Sequence, residues 1–271
     1  MSAAERELAG DIDVVALAAA ERYEVGGVPI SALSMDETVA YLASSQWGVS
    51  RTVHFCSTHG VSLAYADPEF REILRASSLN LPDGWPVALV GQVLRVPGFA
   101  GQIPGPDTFD RAMDEPVVQR LRHFLFGSTP DVLDGMLAKI AQQHPGANVV
   151  GAIAPGFGGV DEVLSDREIR KIAAAEPDIV WVGLGCPLQD RVLDAARSSL
   201  PTTLVAVGAA FDFAAGTKTR APKALRVLRL EWCYRLLQEP RRLWRRYFFA
   251  GSRFVVSLVR LRPHRLDRDG R

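Results

Sequence analysis

Apolar positions along this 271-residue chain follow two spacings. Short runs that are apolar almost throughout, such as 123–127 (HFLFG), 178–183 (DIVWVG) and 203–208 (TLVAVG), read as strands. The stretches between them repeat apolar residues every three or four positions and read as helices. Thr129-Pro130 offers a cap and a first-turn proline for a helix to about residue 143, and 148–154 reads as the next strand. Ser165-Asp166-Arg167-Glu168 matches a capping box opening a helix to about residue 175, and 187–200 reads as helical. Upstream, 25–30 reads as a short strand broken by Gly26-Gly27, and Asp36 as the cap of a helix over 37–46 with Val39 and Leu42 inward. Residues 52–57 read as a strand and 60–76 as one helix carrying Leu63, Phe70, Ile73 and Leu74 inward. Strands apolar on both faces, alternating with helices, predict an α/β fold: a parallel sheet with helices on both faces. Right-handed crossovers place the loops after each strand at one edge, where open α/β sheets bind ligands.

The last fifty-odd residues change this picture. Residues 218–271 carry 16 Lys+Arg against 4 Asp+Glu, and 1–217 carry 15 against 27, so a net charge of zero hides +12 and −12. The basic segment is studded with Trp232, Tyr234, Trp244, Tyr247, Phe248 and Phe249. On a helix, Leu243, Tyr247, Ala250, Phe254, Leu258 and Leu261 form one stripe, and Arg242, Arg246, Arg253 and Arg260 another about 100° away. That pattern suits a helix lying in a lipid interface over anionic headgroups, and suits equally a helix packed on the body with a solvated basic face. No motif that reads nucleic acid accompanies the charge, so no nucleic-acid partner is expected. Three units are expected: a loosely ordered, acidic, Ala-rich extension (1–24), an α/β domain (25–217) and a basic helical appendage (218–271).

The start of the chain is acidic where a secretory leader is basic, and no apolar run reaches the roughly 20 residues that span a bilayer. The expected location is cytoplasmic, peripheral on the inner face of the plasma membrane. Cys56, Cys186 and Cys233 are odd in number and lie far apart, forming neither a metal-spaced set nor a disulfide framework. Asp11-Ile12-Asp13 and Asp267-Arg268-Asp269 are terminal solvated charge, so no metal and no cofactor is expected.

Four loops fall at the predicted ligand edge. The first holds Ser57, Thr58 and His59. The second is Leu81-Pro82-Asp83-Gly84-Trp85-Pro86, where flanking prolines stiffen a carboxylate as a general base requires; Asp-Gly is equally ordinary turn chemistry. The third, Gly183-Leu184-Gly185-Cys186-Pro187-Leu188-Gln189-Asp190, puts two glycines between a strand and a helix N-terminus, where backbone N–H groups hold a diphosphate or simply make a tight turn. The fourth runs from Gly208 through Phe211 and Asp212 to Gly216 and on to Arg220, a cation able to pair with a diphosphate.

In order and spacing these pieces resemble the WecG/TagA/CpsF family of bacterial glycosyltransferases. The resemblance spans about residues 25–254. It rests on Ala66-Asp67-Pro68-Glu69-Phe70, Leu81-Pro82-Asp83-Gly84, Pro104-Gly105-Pro106-Asp107, Val182 through Pro187 with Gln189, Val207-Gly208 through Phe211-Asp212 to Gly216, Arg220-Ala221-Pro222, and Leu230-Glu231-Trp232 through Arg235 to Glu239-Pro240. It implies a Rossmann-like α/β body with a membrane-contacting C-terminal appendage. It also implies an inverting, metal-independent transfer from a UDP-sugar to a polyprenyl-diphosphate-linked sugar, in cell-surface polysaccharide assembly. Asp83 matches the family's proposed base. Ser57, Thr58, Gly84, Gly105, Asp107, Gly183, Gly185, Gln189, Gly208, Phe211, Asp212 and Arg220 fall in the substrate pocket, and Arg235, Arg241, Arg242, Arg245 and Arg246 match the lipid-diphosphate and membrane contacts. A homo-oligomer is compatible with the pattern. Ser57, Gln102 and Leu188 stand where the family usually has Asn, Arg and Lys, which keeps a non-catalytic nucleotide-sugar-binding scaffold as the rival reading.

Overall fold

The computed structural model describes Leu17, residues 20–208, 210–217, 221–222, 225, 231–238 and 240–266, without the side chains at 231, 235, 242, 243, 245 and 246. In chain order the elements are β1 (Arg22–Val25), β2 (Val28–Ser31), α1 (Met35–Ala43), β3 (Arg51–Cys56), α2 (Thr58–Ala66), α3 (Pro68–Arg75), β4 (Leu79–Pro82), α4 (Trp85–Val93), α5 (Gly105–Asp114) and α6 (Pro116–Gln119). There follow β5 (His123–Gly127), α7 (Pro130–Gln143), β6 (Val149–Ile153), α8 (Val160–Val163), α9 (Asp166–Ala174), β7 (Ile179–Gly183), α10 (Leu188–Ala196), β8 (Thr203–Ala206), α11 (Ala210–Ala215), α12 (Glu231–Gln238), α13 (Pro240–Arg260) and β9 (His264–Leu266).

Six strands form a parallel sheet in the order β4-β3-β8-β7-β5-β6. Its faces are buried as the apolar runs require. Val53, Leu81, Leu125, Trp181 and Val205 pack under α1, α5 and α7, with Leu42, Phe109 and Met136 filling that layer. On the other face Phe126, Val180, Val182 and Leu204 meet Ile172 of α9 and Leu193 of α10. A second, antiparallel sheet, β2-β1-β9, joins the C-terminal strand to the N-terminal hairpin.

Several expectations are corrected. Residues 25–30 do not form one broken strand: Gly26 (φ 59°) and Gly27 (φ 86°) make the two-residue turn of a hairpin, a conformation other residues adopt only with strain. Residues 22–24, read as part of the extension, form most of β1. The cap of α1 is Ser34, not Asp36: Ser34 Oγ accepts from Glu37 N (3.1 Å) and Glu37 Oε2 accepts from Ser34 N (2.7 Å). The helix drawn over 60–76 is two, because Pro68 cannot continue the ladder and Asp67 Oδ1 caps the second helix through Phe70 N (3.1 Å). At α9 the capping box is not made, since Ser165 Oγ donates to the Glu168 carboxylate and caps no backbone group.

The arginine-rich helix packs on the body through part of its apolar stripe. Ala250, Phe254 and Ser257 of α13 are buried against α2, and Phe254 joins the core of Tyr23, Val25, Val61 and Ala64. The stripe of Leu243 to Leu261 is therefore a packing face over its C-terminal half. A second stripe, Trp244, Phe248, Val255 and Val259, is exposed on the far side. A Cβ on Gly26 would touch both Val61 and Ser257, and Arg260 reaches Tyr65, so α13 and α2 advance in the same direction. Residues 240–253 consequently run roughly 20 Å past the start of α2, beyond the carboxyl edge of the sheet.

Candidate active site

The loops after β3, β4, β7 and β8 meet at that edge, and glycines allow the approach. A Cβ on Gly84 would lie 3.3 Å from Thr58 N, and one on Gly105 3.1 Å from Val207 O. On Gly183 it would lie 2.7 Å from the Phe211 ring, on Gly60 3.7 Å from Cys186 Sγ, and on Gly208 3.7 Å from the Gln189 amide. The four loops thus form one continuous wall.

Asp83 follows β4 directly and is half-buried. Its N–H donates to Cys56 O (3.2 Å) and its carbonyl accepts from Gln102 Nε2, while Ile103 N donates to Pro82 O (2.8 Å). The backbone of this turn is held on both sides, which fixes where the carboxylate starts. Gly84 then begins α4, its carbonyl accepting from Val87 and Ala88 N (3.0 Å each). Gln102 is here a brace for the Asp83 turn.

The structure divides the predicted pocket residues by what they touch. Ser57 caps α2 through Gly60 N (3.3 Å), and Thr58 opens that helix against Gly84. Gly183 and Phe211 pack on each other, with Phe211 only 1% exposed. Gly185 is open, with φ 81°. Gln189 is buried and spans two loops, its Oε1 accepting from Gly185 N (3.0 Å) and its Nε2 donating to Ala206 O (3.2 Å). Asp107 lies half-buried in the first turn of α5, and Asp212 half-buried in α11. Arg241 is exposed on α13. Arg220 lies outside the described residues, as do the side chains of Arg235, Arg242, Arg245 and Arg246.

Two features escape the sequence reading. Phe157, 95% exposed, stands in the Pro-Gly-Phe-Gly-Gly loop after β6 at the same edge; an aromatic in a glycine loop after an apolar strand was its available signal. His54 and Asp190 form a buried pair, Nδ1 to Oδ1 2.8 Å, between β3 and the first turn of α10. Beside them, burial pushes the Cys56 thiol well up, and the Asp190 and Asp83 carboxylates push the same way. That thiol donates to Asn80 Oδ1 (3.7 Å) and has no thiolate character of its own. Cys186 is half-buried against the same apolar cluster.

Among the described residues no three His, Cys, Asp or Glu side chains gather as metal ligands, and no helix is long and apolar enough to cross a membrane.

A doubly covered parallel sheet, with a carboxylate turn and a glycine loop both at its carboxyl edge, defines a Rossmann-like α/β protein. Residues 23–268 match the family model described as the glycosyl transferase WecG/TagA/CpsF family. The chain belongs to that family and is a glycosyltransferase. It is similar to the N-acetylglucosaminyldiphosphoundecaprenol N-acetyl-beta-D-mannosaminyltransferase of Bacillus spizizenii strain W23, 32% identical over 199 residues, 73% of this chain and 74% of the relative. The protein of the same name from Bacillus subtilis strain 168 is 31% identical over 196 residues (70% and 73%). That of Staphylococcus aureus strain MW2 is 27% identical over 200 residues (70% and 76%).

Proposed function

We propose that this glycosyltransferase inverts configuration, without a metal, and moves a hexose or N-acetylhexosamine-type sugar from a UDP-sugar to a sugar carried on a polyprenyl diphosphate, in cell-surface polysaccharide assembly. The names of its relatives narrow the first substrates to test: an N-acetyl-D-mannosaminyl donor and an N-acetylglucosaminyl-diphosphoprenol acceptor.

The observation that carries this reading is the setting of Asp83. Its backbone is braced by Cys56 and Gln102 at the end of β4, across the wall from the glycine loop before α10. Asp83 removes the proton from an acceptor hydroxyl as that oxygen forms its bond to C1 of the donor sugar. The C1–O bond to UDP breaks on the opposite side, and UDP leaves with the electron pair. An α-linked UDP-sugar then gives the β product, in keeping with the "beta" in the relatives' names. The leaving diphosphate is held by the N-terminus of α10, which opens at Leu188, and by cations from Arg220 and the arm. Phe157 offers a flat apolar face for the base; β6 and β7 are two strand positions apart, roughly 10 Å, a span a nucleoside diphosphate covers.

The appendage, residues 218–271, serves in this reading to bring the cleft to an anionic membrane surface. The overhang of α13 past the carboxyl edge supports it, as do the exposed Trp244 and Phe248 beside Arg241. The test is direct. The full chain, given UDP-N-acetylmannosamine and a short-chain prenyl-diphosphate N-acetylglucosamine, should yield an acceptor heavier by one N-acetylhexosamine, with UDP released in equal amount. A folded protein that leaves the acceptor unchanged with every UDP-sugar offered overturns the reading.

A further inference from the structure

His54 and Asp190 do something that packing does not need. Asp190 is 4% exposed and His54 1%, and they meet at 2.8 Å across the interface between β3 and α10. One proton is shared between His54 Nδ1 and Asp190 Oδ1. Asp190 Oδ2 is buried and, among the described residues, has no hydrogen-bond partner. A buried carboxylate with an unmet oxygen is a net burden on stability, and apolar side chains such as the adjacent Val192 and Leu193 would fill the volume more favourably.

Three consecutive residues at this point each grip a different element. Gln189 holds Ala206 O on β8, Asp190 holds His54 on β3, and Arg191 Nη2 meets Asp67 Oδ2 at 2.6 Å at the cap of α3. Two residues beyond the Cys56 that follows His54 comes Thr58, whose N–H abuts Gly84 beside Asp83. The pair therefore ties the strand that supports the base turn to the helix whose start carries the glycine loop.

We propose that Asp190 and His54 are positioning residues for transfer, fixing the glycine loop relative to Asp83 so that the attacking oxygen, C1 and the leaving diphosphate fall in line. The inference rests on the catalytic reading above. A misplacement of about 1 Å at a reacting centre slows a reaction by roughly 100-fold.

The test replaces both polar groups with apolar ones of similar size, His54→Leu with Asp190→Leu, in the full-length protein. Binding of UDP is measured by calorimetry, and transfer with the substrates named above. The double variant should melt at or above the wild-type temperature, bind UDP within about threefold of wild type, and lose about 10- to 100-fold in kcat. Asp190→Asn, which still accepts from His54, should keep turnover within about threefold of wild type. If the double variant loses the near-ultraviolet circular dichroism of a folded chain, His54→Asn, too short to reach across, takes its place with the same expected fall in kcat. A folded variant with wild-type kcat, or a loss confined to UDP affinity, overturns the proposal. A wild-type protein that neither binds UDP nor transfers sugar would instead strike the catalytic reading.

Discussion

The two edges of the six-stranded sheet are built from the same strands and treat polar groups in opposite ways. At the amino edge the polar groups named next are answered, Thr203 Oγ1 being the exception, buried with no partner among the described residues. Asp178 accepts from Trp47 N (3.0 Å) and Arg122 N (2.8 Å), Thr202 Oγ1 donates to Pro177 O (2.7 Å), and Arg122 Nη2 to Ala175 O (2.6 Å). Neutral His123 donates from Nε2 to Val118 O (2.8 Å) and accepts on Nδ1 from Trp181 Nε1 (3.1 Å). At the carboxyl edge Asp83 stands half-buried at a rim, Gly185 is exposed, and Asp190 keeps an oxygen inside that no described residue meets. One edge spends its polar groups on stability; the other holds them ready. Substitutions should therefore separate by edge, activity falling at one and stability at the other.

The largest separation is expected at Asp83. Asp83→Asn keeps the shape of the turn and its backbone hydrogen bonds but cannot take a proton. Turnover should fall by about 10²–10⁴, a barrier increase of about 3–5 kcal/mol, with unfolding free energy changed by less than about 1 kcal/mol. Steady-state transfer and urea unfolding on the same preparation check both halves. The mirror image is Asp178→Ala, which strands two backbone N–H donors at the other edge. It should lower unfolding free energy by about 3 kcal/mol while leaving kcat within about twofold below the melting range. Equal damage to activity and stability from both variants would erase the contrast.

His123 sharpens the contrast through pH. Burial is the main cause that pulls its imidazole down from 6.5 to about 4, outweighing the Val118 carbonyl and Asp178, which act the other way. The unfolded chain binds this proton first, so the contribution to stability is whole above about pH 6.5 and lost as pH falls toward 4. About 2 kcal/mol should be gone by pH 5. Urea unfolding at pH 7, 6 and 5, with His123→Gln as the control that flattens this component, measures it.

The sequence revealed one half of the fold better than the other, for a physical reason. Strands β5, β7 and β8 are buried on both faces of a parallel sheet and β6 is its half-buried edge; each is an almost unbroken apolar run, and the pattern places all four to within a residue or two. β4 reads as a loop because its second residue is Asn80, buried but satisfied by Pro29 O (2.9 Å) and Leu74 O (2.6 Å), partners the pattern does not reveal. β9 is three largely exposed residues that become a strand only by pairing with β1, some 240 positions away. The site divides likewise. Asp83 and the glycine loop announce themselves locally, through prolines and glycines. The His54–Asp190 pair joins residues 136 apart and has no local signature. Gln189, read as either a ligand contact or a solvated first-turn residue, is a buried brace between two loops.

The arm yields the smallest effect and the clearest lesson about periodicity. A helix with two apolar stripes states that each wants a partner and not which partner each has. Body packing takes Ala250 and Phe254, leaving Trp244 and Phe248, 50% and 67% exposed, on the far side. If those rings enter a lipid interface, Trp244→Ser with Phe248→Ser should weaken binding to vesicles of mixed phosphatidylglycerol and phosphatidylcholine about tenfold, roughly 1.4 kcal/mol. The melting temperature should hardly move, because neither ring is in the core. Raising salt should weaken the wild type further, since the arginines around these rings act through a screened field, while the share carried by the rings persists. Vesicle flotation at two salt concentrations separates the terms. Binding that falls with salt and ignores the double substitution would mean that charge alone draws the arm to the surface, leaving the exposed rings for a different partner.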